Sequence, residues 1–323
     1  MKDLQNQLVA SVIICTRNRA AYLGNTIRKA AAQKLSNGNF EIVVVDNGST
    51  DHTSDVVREC QSAITTVKIR YVIETEVGLS VARNRAIRES NGQILCFLDD
   101  DAVPQPEWLA RLCKVFEQYE KVMCSGGIVI PNYETTPPLW FDEYYEGFFS
   151  PKFTNRHSTH ITTYPYYPYG ANFAVRMIAF SIVGVFDPKL GYRGTNLIPA
   201  EETEFLRRLE RAGYQIAIDP SAVVRHIIPS ERLTEIYFLQ RAYAQGRANA
   251  ILCWRFDAEP MPLSIKWRIY TLMRLFKNFV LLYVRALKQK MSGTSLTIRK
   301  KTDWYLQKGY FHQEFIQYLQ LWH

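Results

Sequence analysis

Four apolar runs in the first hundred residues have the length and the β-branched composition of buried strands. They are Leu8 to Cys15, Phe40 to Val45, Val67 to Ile73 and Gln93 to Leu98. The segments between them carry apolar residues at helical spacing; in residues 20–33, for example, Leu23, Ile27 and Ala30 share one face. Strands that alternate with helices predict a parallel sheet covered by helices on both faces, so the expected fold class is α/β.

Acidic residues follow two of these runs. Asp46 ends the second run, and the fourth continues directly into Asp99, Asp100 and Asp101. The carboxyl ends of parallel strands meet at one edge of the sheet, where open α/β folds bind their ligands. If the strand geometry continues, Asp99 and Asp101 point one way and Asp100 points the other.

Three adjacent carboxylates repel one another, and a buried carboxylate is costly unless it is paired or bound to a metal ion. A divalent cation that carries a phosphorylated ligand would remove this penalty, because it binds carboxylate and phosphate oxygens together. The alternative is a helix cap with two solvated acids ahead of Pro104 and Pro106, which accounts well for one aspartate only. The pattern therefore favours a site for a metal ion and a phosphate.

Beyond residue 105 the pattern predicts fewer regular elements. Residues 131–169 are rich in proline and aromatic residues, which indicates loops, and residues 187–199 are expected to form a flexible loop that could act as a lid. Exposed aromatic rings suit stacking on a sugar or a lipid, and a packed irregular cap over the sheet is the equal alternative. The regular elements predicted here are a helix at 106–120, a strand at 122–130, a helix near 175–184 that opens at Gly170, a helix from Glu201 to about Ala212, and strands at 215–218 and 223–226.

The C-terminal part differs from the rest of the chain in charge. The net charge is +8, yet residues 261–323 alone hold 11 Lys/Arg against 2 Asp/Glu, so the remainder is nearly neutral. A neutral body argues against a broad nucleic-acid surface. On a helical wheel of residues 264–290, basic residues such as Lys266 and Arg274 lie opposite an apolar face. Such a helix is typical of a membrane surface, and a helix packed on the body with a solvated basic face is the alternative.

Cysteine use and the N-terminus bear on localisation. The six cysteines are scattered and form no C-x-x-C pair, which favours a reducing cytosol. The first seven residues contain no apolar signal region, and the longest charge-free apolar runs are far shorter than the roughly 20 residues that span a bilayer. We therefore expect a cytoplasmic protein whose basic helix would bind an anionic membrane surface peripherally.

A set of short motifs runs in order through residues 8–228. They are Val12-Ile13-Ile14-Cys15-Thr16-Arg17-Asn18-Arg19, Val45-Asp46-Asn47-Gly48-Ser49-Thr50-Asp51, Gly78-Leu79-Ser80-Val81-Ala82-Arg83-Asn84, Phe97-Leu98-Asp99-Asp100-Asp101, Gly170-Ala171-Asn172-Phe173 and Glu201-Glu202-Thr203-Glu204-Phe205-Leu206-Arg207-Arg208-Leu209. Any one of them alone is weak evidence, but their order and spacing together resemble the family-2 glycosyltransferases of the GT-A fold. The resemblance implies an inverting transfer from a nucleotide-diphosphate sugar, most commonly a UDP-sugar, to a saccharide or lipid-linked acceptor.

The resemblance also implies roles for individual residues. Asp101 would be the main ligand of Mn²⁺ or Mg²⁺, with Asp99 and His226 as further ligands. The chain would divide into a nucleotide-binding half at 1–130, an acceptor-binding half at 131–230 and a helical, basic extension at 231–323. The donor nucleotide would contact Thr16, Arg17, Asp46, Arg83, Asp99 and Asp100, and the expected acceptor contacts are Trp140, Tyr169, Gly170 and Asn172.

The catalytic base is expected at the start of the helix that begins near residue 201. Three glutamates in four residues exceed what the helix dipole alone favours. In the family the base is commonly the second acid of a Glu-Asp pair, a position that Glu202 occupies here. Glutamate in place of aspartate adds one methylene of reach, and Glu201 is the alternative base. The chain lacks the Gln-x-x-Arg-Trp motif of processive synthases, which favours the addition of a single sugar.

Other functions on a similar sheet fit the sequence less well. A sugar nucleotidyltransferase is expected to have a Gly-rich loop after the first strand, and Thr16 to Arg19 contain no glycine. A phosphatase of the haloacid-dehalogenase type would place paired aspartates after the first strand, where this chain has none. A non-catalytic sugar-nucleotide-binding protein would need no base, which the glutamates at 201–204 speak against.

Overall fold

The computed structural model describes residues 8–36, 38–150, 158–194, 196–257 and 297–320, together with positions 273, 277, 280, 281, 283 and 284. The chain divides into two compact units. The first comprises Met1–Pro137, Phe141–Gly194 and Glu201–Ile228, and the second comprises Pro138–Trp140, Thr195–Ala200 and Pro229–His323.

Strands and helices alternate along the first hundred residues, as the sequence predicts. The strands are β1 Leu8–Thr16, β2 Asn39–Asp46, β3 Lys68–Ile73, β4 Ile94–Leu98, β5 Ala102–Pro104, β6 Val122–Tyr133, β7 His160–Thr162, β8 Asn172–Arg176, β9 Gly191–Arg193, β10 Asn196–Ile198 and β11 Gln215–Ile228. The helices are α1 Ala20–Ala31, α2 Thr53–Ala63, α3 Leu79–Glu89, α4 Trp108–Gln118, α5 Glu143–Glu146, α6 Met177–Val183, α7 Glu201–Arg211, α8 Glu235–Leu252 and α9 Ile298–Gln320.

Among the described residues, nine strands form one mixed sheet. Its order is β3-β2-β1-β4-β8-β6-β11-β5, with β7 paired to β11. The pairs formed by β1 with β2, β1 with β4, β2 with β3 and β6 with β11 are parallel. Strand β8 is antiparallel to both β4 and β6, and β5 is antiparallel to β11. The mixed α/β class is therefore confirmed.

The central strands are buried on both faces, which explains their uninterrupted apolar sequences. In β1, Val12 and Ile14 belong to the core on one side of the sheet and Ile13 to the core on the other. Strand β4 divides in the same way, with Cys96 in the first core and Phe97 in the second. Residues of α1, α2 and α4 complete the first core, and residues of α3, α6 and α7 complete the second.

The prediction that a helix opens at Gly170 is wrong for the first residues of that segment. Residues Asn172–Arg176 form strand β8, and helix α6 begins only at Met177. A short apolar run has no period that separates a buried strand from a buried helix. Hydrogen bonding to two neighbouring strands decides the conformation here, and the Arg176 guanidinium also binds the carbonyls of Val122 and Phe116, at the ends of β6 and α4.

The Asn172 side chain holds β8 in the sheet. It has no exposed area. Its Oδ1 accepts a hydrogen bond from Trp108 Nε1 at 2.7 Å, and its Nδ2 donates to the carbonyls of Ile128 and Ala222, each at 2.9 Å. This one amide therefore connects β8 to α4, β6 and β11.

Two further predictions need correction. The strands predicted at 215–218 and 223–226 form one strand, β11, whose pairing with β6 is irregular between Ile218 and Val223. Residues 187–199, predicted as a flexible loop, include β9 and β10. The early part of this segment is tethered, because Ser80 Oγ donates to the Leu190 carbonyl at 2.8 Å and Arg193 pairs with Glu76 at 3.0 Å.

Helices α8 and α9 pack against each other in the second unit. A Cβ atom at Gly246 would collide with the Leu306 carbonyl, and one at Gly309 would collide with the Tyr243 carbonyl, so the two backbones meet at these glycines. The basic helix predicted at 264–290 lies outside the described residues apart from six isolated positions. Of the helices that the structure describes, none is long and apolar enough to cross a bilayer.

We predict that Asn172→Ala lowers the free energy of unfolding by about 3 kcal/mol, because the substitution leaves three buried polar groups without their partner. Urea denaturation monitored by tryptophan fluorescence measures this loss. Asn132→Ala, at an exposed asparagine of β6, is the matched control and should change stability by less than about 0.5 kcal/mol. Equal stability of the two variants would contradict the role given to Asn172.

Candidate active site

The parallel strands bring Asp46 and Thr16 together at the carboxyl edge of the sheet. Thr16 and Asp46 are register partners at the ends of β1 and β2. Asp46 Oδ1 accepts from the Ser49 amide at 2.8 Å, and Asp46 Oδ2 accepts from the Tyr71 hydroxyl at 2.5 Å. Burial and the adjacent Asp46 carboxylate raise the pKa of Tyr71, so Tyr71 remains a proton donor to this acid.

Asp100 makes contacts different from those of its two neighbours, although the strand geometry on which that expectation depended ends at Leu98. Its Oδ2 accepts from Thr16 Oγ1 at 2.7 Å, and its backbone carbonyl accepts from Thr26 Oγ1 at 2.9 Å. Burial, and then the negative charge of Asp101, raise the pKa of Asp100 to about 7. The side chain is therefore committed to Thr16 at the end of β1, and its predicted contact with the donor would run through that residue.

Asp99 and Asp101 meet His226, although 125 residues of sequence separate Asp101 from the histidine. One potential ligand atom from each of the three residues lies within 4.8 Å of the other two. His226 reaches this position because it is the register partner of Ala102, where β11 pairs with β5. The Ile227 amide also donates to the Asp101 carbonyl at 2.9 Å. The His226 Nε2 and Asp101 Oδ1 atoms are 2.9 Å apart.

This cluster has the chemistry of a divalent metal site. Two carboxylates and one imidazole suit Mn²⁺, whereas Mg²⁺ more strongly prefers an all-oxygen set. Opposite ligands of an ion with bonds near 2.1 Å are about 4 Å apart, so the 4.8 Å spread of the ligand atoms needs only a small closing movement. The residues present therefore fit such an ion.

Arg19 belongs to this cluster, and the sequence interpretation missed it. Its Nη1 lies 3.0 Å from Asp101 Oδ2. The preceding Asn18 has a left-handed backbone with φ of 54°, and its Oδ1 accepts from the Thr50 amide at 2.7 Å. This contact joins the loop after β1 to the loop after β2 and sets Arg19 at the start of α1. Its position in the sequence could have indicated this role, because Arg19 lies in the polar loop at the end of β1, and that loop is next to the end of β4. Arg17 of the same loop is exposed.

A second group of charges surrounds the guanidinium of Arg83. Arg83 Nη1 donates to Glu201 Oε1 at 2.8 Å, and Arg83 Nη2 donates to the Gly170 carbonyl at 3.1 Å and lies 3.7 Å from Asp99 Oδ1. Burial opposes the charge of Arg83, but the neighbouring carboxylates Glu201 and Asp99 raise its pKa above the usual value. Arg83 is therefore a buried cation between the cluster and the start of α7.

Glu201 and Glu202 form an acid pair at the first turn of α7. Glu201 is buried, and its Oε2 receives no hydrogen bond from the described part of the chain. Burial, and then the charge of Glu201, raise the pKa of Glu202 to about 8, while Arg83 acts in the opposite direction. Since the charge of Glu201 is already matched by Arg83, Glu202 is the carboxyl group left with an elevated proton affinity.

The four expected acceptor residues have different surroundings. Asn172 is wholly inside the sheet, which leaves it no surface for an acceptor. Gly170 presents its carbonyl to Arg83, and the Tyr169 hydroxyl donates to the Gly147 carbonyl at 2.7 Å. Trp140 belongs to the second unit, where its ring packs edge-on against Phe238 with centroids 5.7 Å apart. The acceptor roles of Tyr169, Gly170 and Trp140 stay predictions.

The chain is similar to known proteins in sequence and in fold. The family model described as glycosyl transferase family 2 matches residues 11–181. The glucosyl-dolichyl phosphate glucuronosyltransferase of Haloferax volcanii is 24% identical over 253 residues, which are 75% of this chain and 76% of that protein. The succinoglycan biosynthesis protein ExoM of Rhizobium meliloti is 27% identical over 241 residues, 74% of this chain and 73% of that protein. The structure of the mannosyltransferase PcManGT from Pyrobaculum calidifontis, in complex with GDP-Man and Mn²⁺, matches with a TM-score of 0.61 at 19% identity. The match covers 98% of this chain and 88% of that chain, which confirms the GT-A type of fold.

The raised pKa of Asp100 predicts how the stability of the metal-free protein depends on pH. An unfolded aspartate titrates near pH 4 and the folded Asp100 near pH 7, so the folded state binds the extra proton and loses stability as the pH rises between these values. Asp100→Asn lacks this loss. Urea denaturation in EDTA should therefore show the wild type falling more steeply than Asp100→Asn from pH 5 to pH 8.

Asp55→Asn, on the exposed side of α2, is the matched control and should follow the wild type. Parallel pH profiles for Asp100→Asn and the wild type would contradict the burial of an Asp100 carboxyl group with a raised pKa.

Proposed function

The chain belongs to glycosyl transferase family 2 and is a glycosyltransferase, and we propose that it transfers one sugar, with inversion, from a nucleotide-diphosphate sugar to a saccharide or lipid-linked acceptor. The observation that carries the proposal is the arrangement of two acid groups on either side of Arg83. Asp99, Asp101 and His226 lie on one side, and Glu201 and Glu202 lie on the other.

The relatives support the two classes of acceptor. One is named for transfer to a glucosyl-dolichyl phosphate, which is a lipid-linked sugar, and another for the biosynthesis of succinoglycan. The structural neighbour contains GDP-Man and Mn²⁺, which supports a nucleotide-sugar donor and Mn²⁺ rather than Mg²⁺ for this chain. UDP remains the nucleotide that the family resemblance favours.

Different residues of the first unit would have different roles in the reaction. Asp46 and Thr16, which are register partners at the edge of the sheet, would hold the nucleoside together with the exposed Arg17. Asp101, Asp99 and His226 would hold the divalent cation, which when bound supplies positive charge to the departing diphosphate. Arg19, at the same cluster, adds a side-chain cation near that position.

Glu202 is the better candidate for the base, and Glu201 is the alternative. A general base must take the proton of the acceptor hydroxyl as the new bond forms, and its pKa should lie near the working pH. The pKa of Glu202 is raised towards that range by burial and by Glu201. Glu201 instead forms a 2.8 Å ion pair with Arg83, which commits one of its oxygens. An acceptor activated at α7 would attack from the side away from the diphosphate, which gives inversion.

Membrane contact is the part of the proposal that rests on the sequence. The basic residues between 264 and 290 and the excess of cations after residue 260 would attract anionic lipid, where each cation contributes up to about 1 kcal/mol. A lipid-linked acceptor would be delivered at the same surface. A cytoplasmic location on the inner face of the cell membrane follows from this proposal.

The proposed function predicts transfer in a defined assay. Purified protein is incubated with a panel of nucleotide-diphosphate sugars, Mn²⁺, and a simple saccharide or a lipid-linked sugar as acceptor, and the product is analysed by proton NMR. We expect a product whose anomeric configuration is opposite to that of the donor, with transfer lost in EDTA and restored by Mn²⁺. A product of retained configuration would contradict inversion, and full turnover in EDTA would contradict the metal site.

The assignment of the base predicts the effect of Glu202→Gln. The amide cannot accept the acceptor proton, so kcat should fall by about 10²–10⁴ while the Kd for the nucleotide diphosphate stays unchanged. Steady-state kinetics with isothermal titration calorimetry measure the two quantities. Glu59→Gln, at an exposed site on α2, is the control. Full activity of Glu202→Gln, with loss of activity in Glu201→Gln, would give the role to Glu201.

A further inference from the structure

Arg83 is enclosed by the protein rather than presented to the donor. Its side chain is 3% exposed. Its guanidinium carbon lies 5.9 Å from the ring centroid of Phe97, 5.5 Å from that of Phe173 and 5.7 Å from that of Phe186. Three aromatic faces therefore surround the cation and leave little surface for the nucleotide or phosphate contact that the family resemblance implies.

The two ends of the guanidinium reach different parts of the site. Nη1 holds Glu201 of the acid pair on α7 at 2.8 Å. Nη2 holds the Gly170 carbonyl at 3.1 Å, just before β8, and lies 3.7 Å from Asp99, just after β4. One rigid planar group thus connects the carboxylates expected to hold the metal ion with those expected to activate the acceptor.

Gly170 is part of this arrangement. A Cβ atom built at Gly170 would lie 2.8 Å from Arg83 Nη2, closer than real Cβ contacts come. The guanidinium has no free direction in which to move aside, because the three aromatic rings and Glu201 enclose it. The absence of a side chain at 170 is therefore a condition for the observed position of Arg83.

We infer that Arg83 is a positioning residue for the acid pair of α7 and not a ligand of the donor: its fork sets the distance between Glu201 and Asp99, and so between the acceptor end and the metal end of the site. This inference rests on the proposed function. The planar fork of arginine can bind two partners in fixed directions, whereas a lysine ammonium acts as a single point charge on a flexible stem.

The position of the base relative to the donor decides the rate. A displacement of about 1 Å in a reacting group can cost about 10²-fold in turnover. A residue that sets this position without touching the donor should act on kcat and leave donor affinity alone. If Arg83 were instead a ligand of the diphosphate, its substitution should lower the affinity for the donor.

Two variants separate these roles. Arg83→Lys keeps a buried cation for Glu201 but loses the fork, and Gly170→Ala keeps every charge and displaces the guanidinium. For each, we measure the Kd of a nucleoside diphosphate with Mn²⁺ by calorimetry, and kcat at saturating donor and acceptor. Thermal unfolding shows that each variant is folded. Both should bind the nucleoside diphosphate within about threefold of the wild type, and both should lose about 10²-fold in kcat.

A tenfold or larger rise in Kd for Arg83→Lys would overturn the inference and make Arg83 a ligand of the donor. Unchanged kcat in both variants would overturn it as well. The transfer rate of the wild type tests the proposed function separately. The Kd measurements test whether Arg83 is a ligand of the donor, and they do so at any transfer rate.

Discussion

Three adjacent carboxylates directly follow strand β4 at the edge of the sheet. Their mutual repulsion must be compensated, and the surrounding side chains provide that compensation. Asp100 turns inward to Thr16, and its pKa is raised to about 7 by burial and by Asp101. Asp101 lies between Arg19 and His226, and Asp99 lies near Arg83. Arg19 at the start of α1, Arg83 in α3 and His226 in β11 are far apart in sequence, so the charge at this edge ties distant segments to one place. A divalent cation bound to the cluster would complete this compensation.

Much of the fold and part of the site could be predicted from the sequence. The strands up to Leu98 are long, apolar and separated by helical patterns, so local periodicity was enough to identify them. The resemblance to the family named Asp99, Asp101 and His226 as ligands of one ion, and the structure brings the three side chains together. Local spacing displays the strands directly, whereas His226, 125 residues after Asp101, could be linked to the aspartates only through that resemblance.

The remaining features depend on tertiary contacts. Strand β8 is a strand because β4 and β6 accept it on both sides, and no local period of Asn172 to Arg176 shows this. Asn172 lies within a family motif, yet it serves the packing of β8 against Trp108 and two carbonyls. Arg83 was expected at the phosphates, and the structure buries it among three aromatic rings that come from β4, β8 and the segment after α6. Such roles depend on which side chains surround a residue, and the order of residues in the chain does not contain that information.

If the proposed function is correct, the acids at the carboxyl edge of the sheet hold one divalent cation, which binds the diphosphate of the donor. Anomalous diffraction at the manganese edge, from crystals grown with Mn²⁺ and a nucleoside diphosphate, locates that cation. We expect one strong peak in contact with the Asp101 carboxylate and with the diphosphate, beside Asp99 and His226. A diphosphate bound without manganese at these residues, or a manganese peak at another surface of the protein, would contradict it.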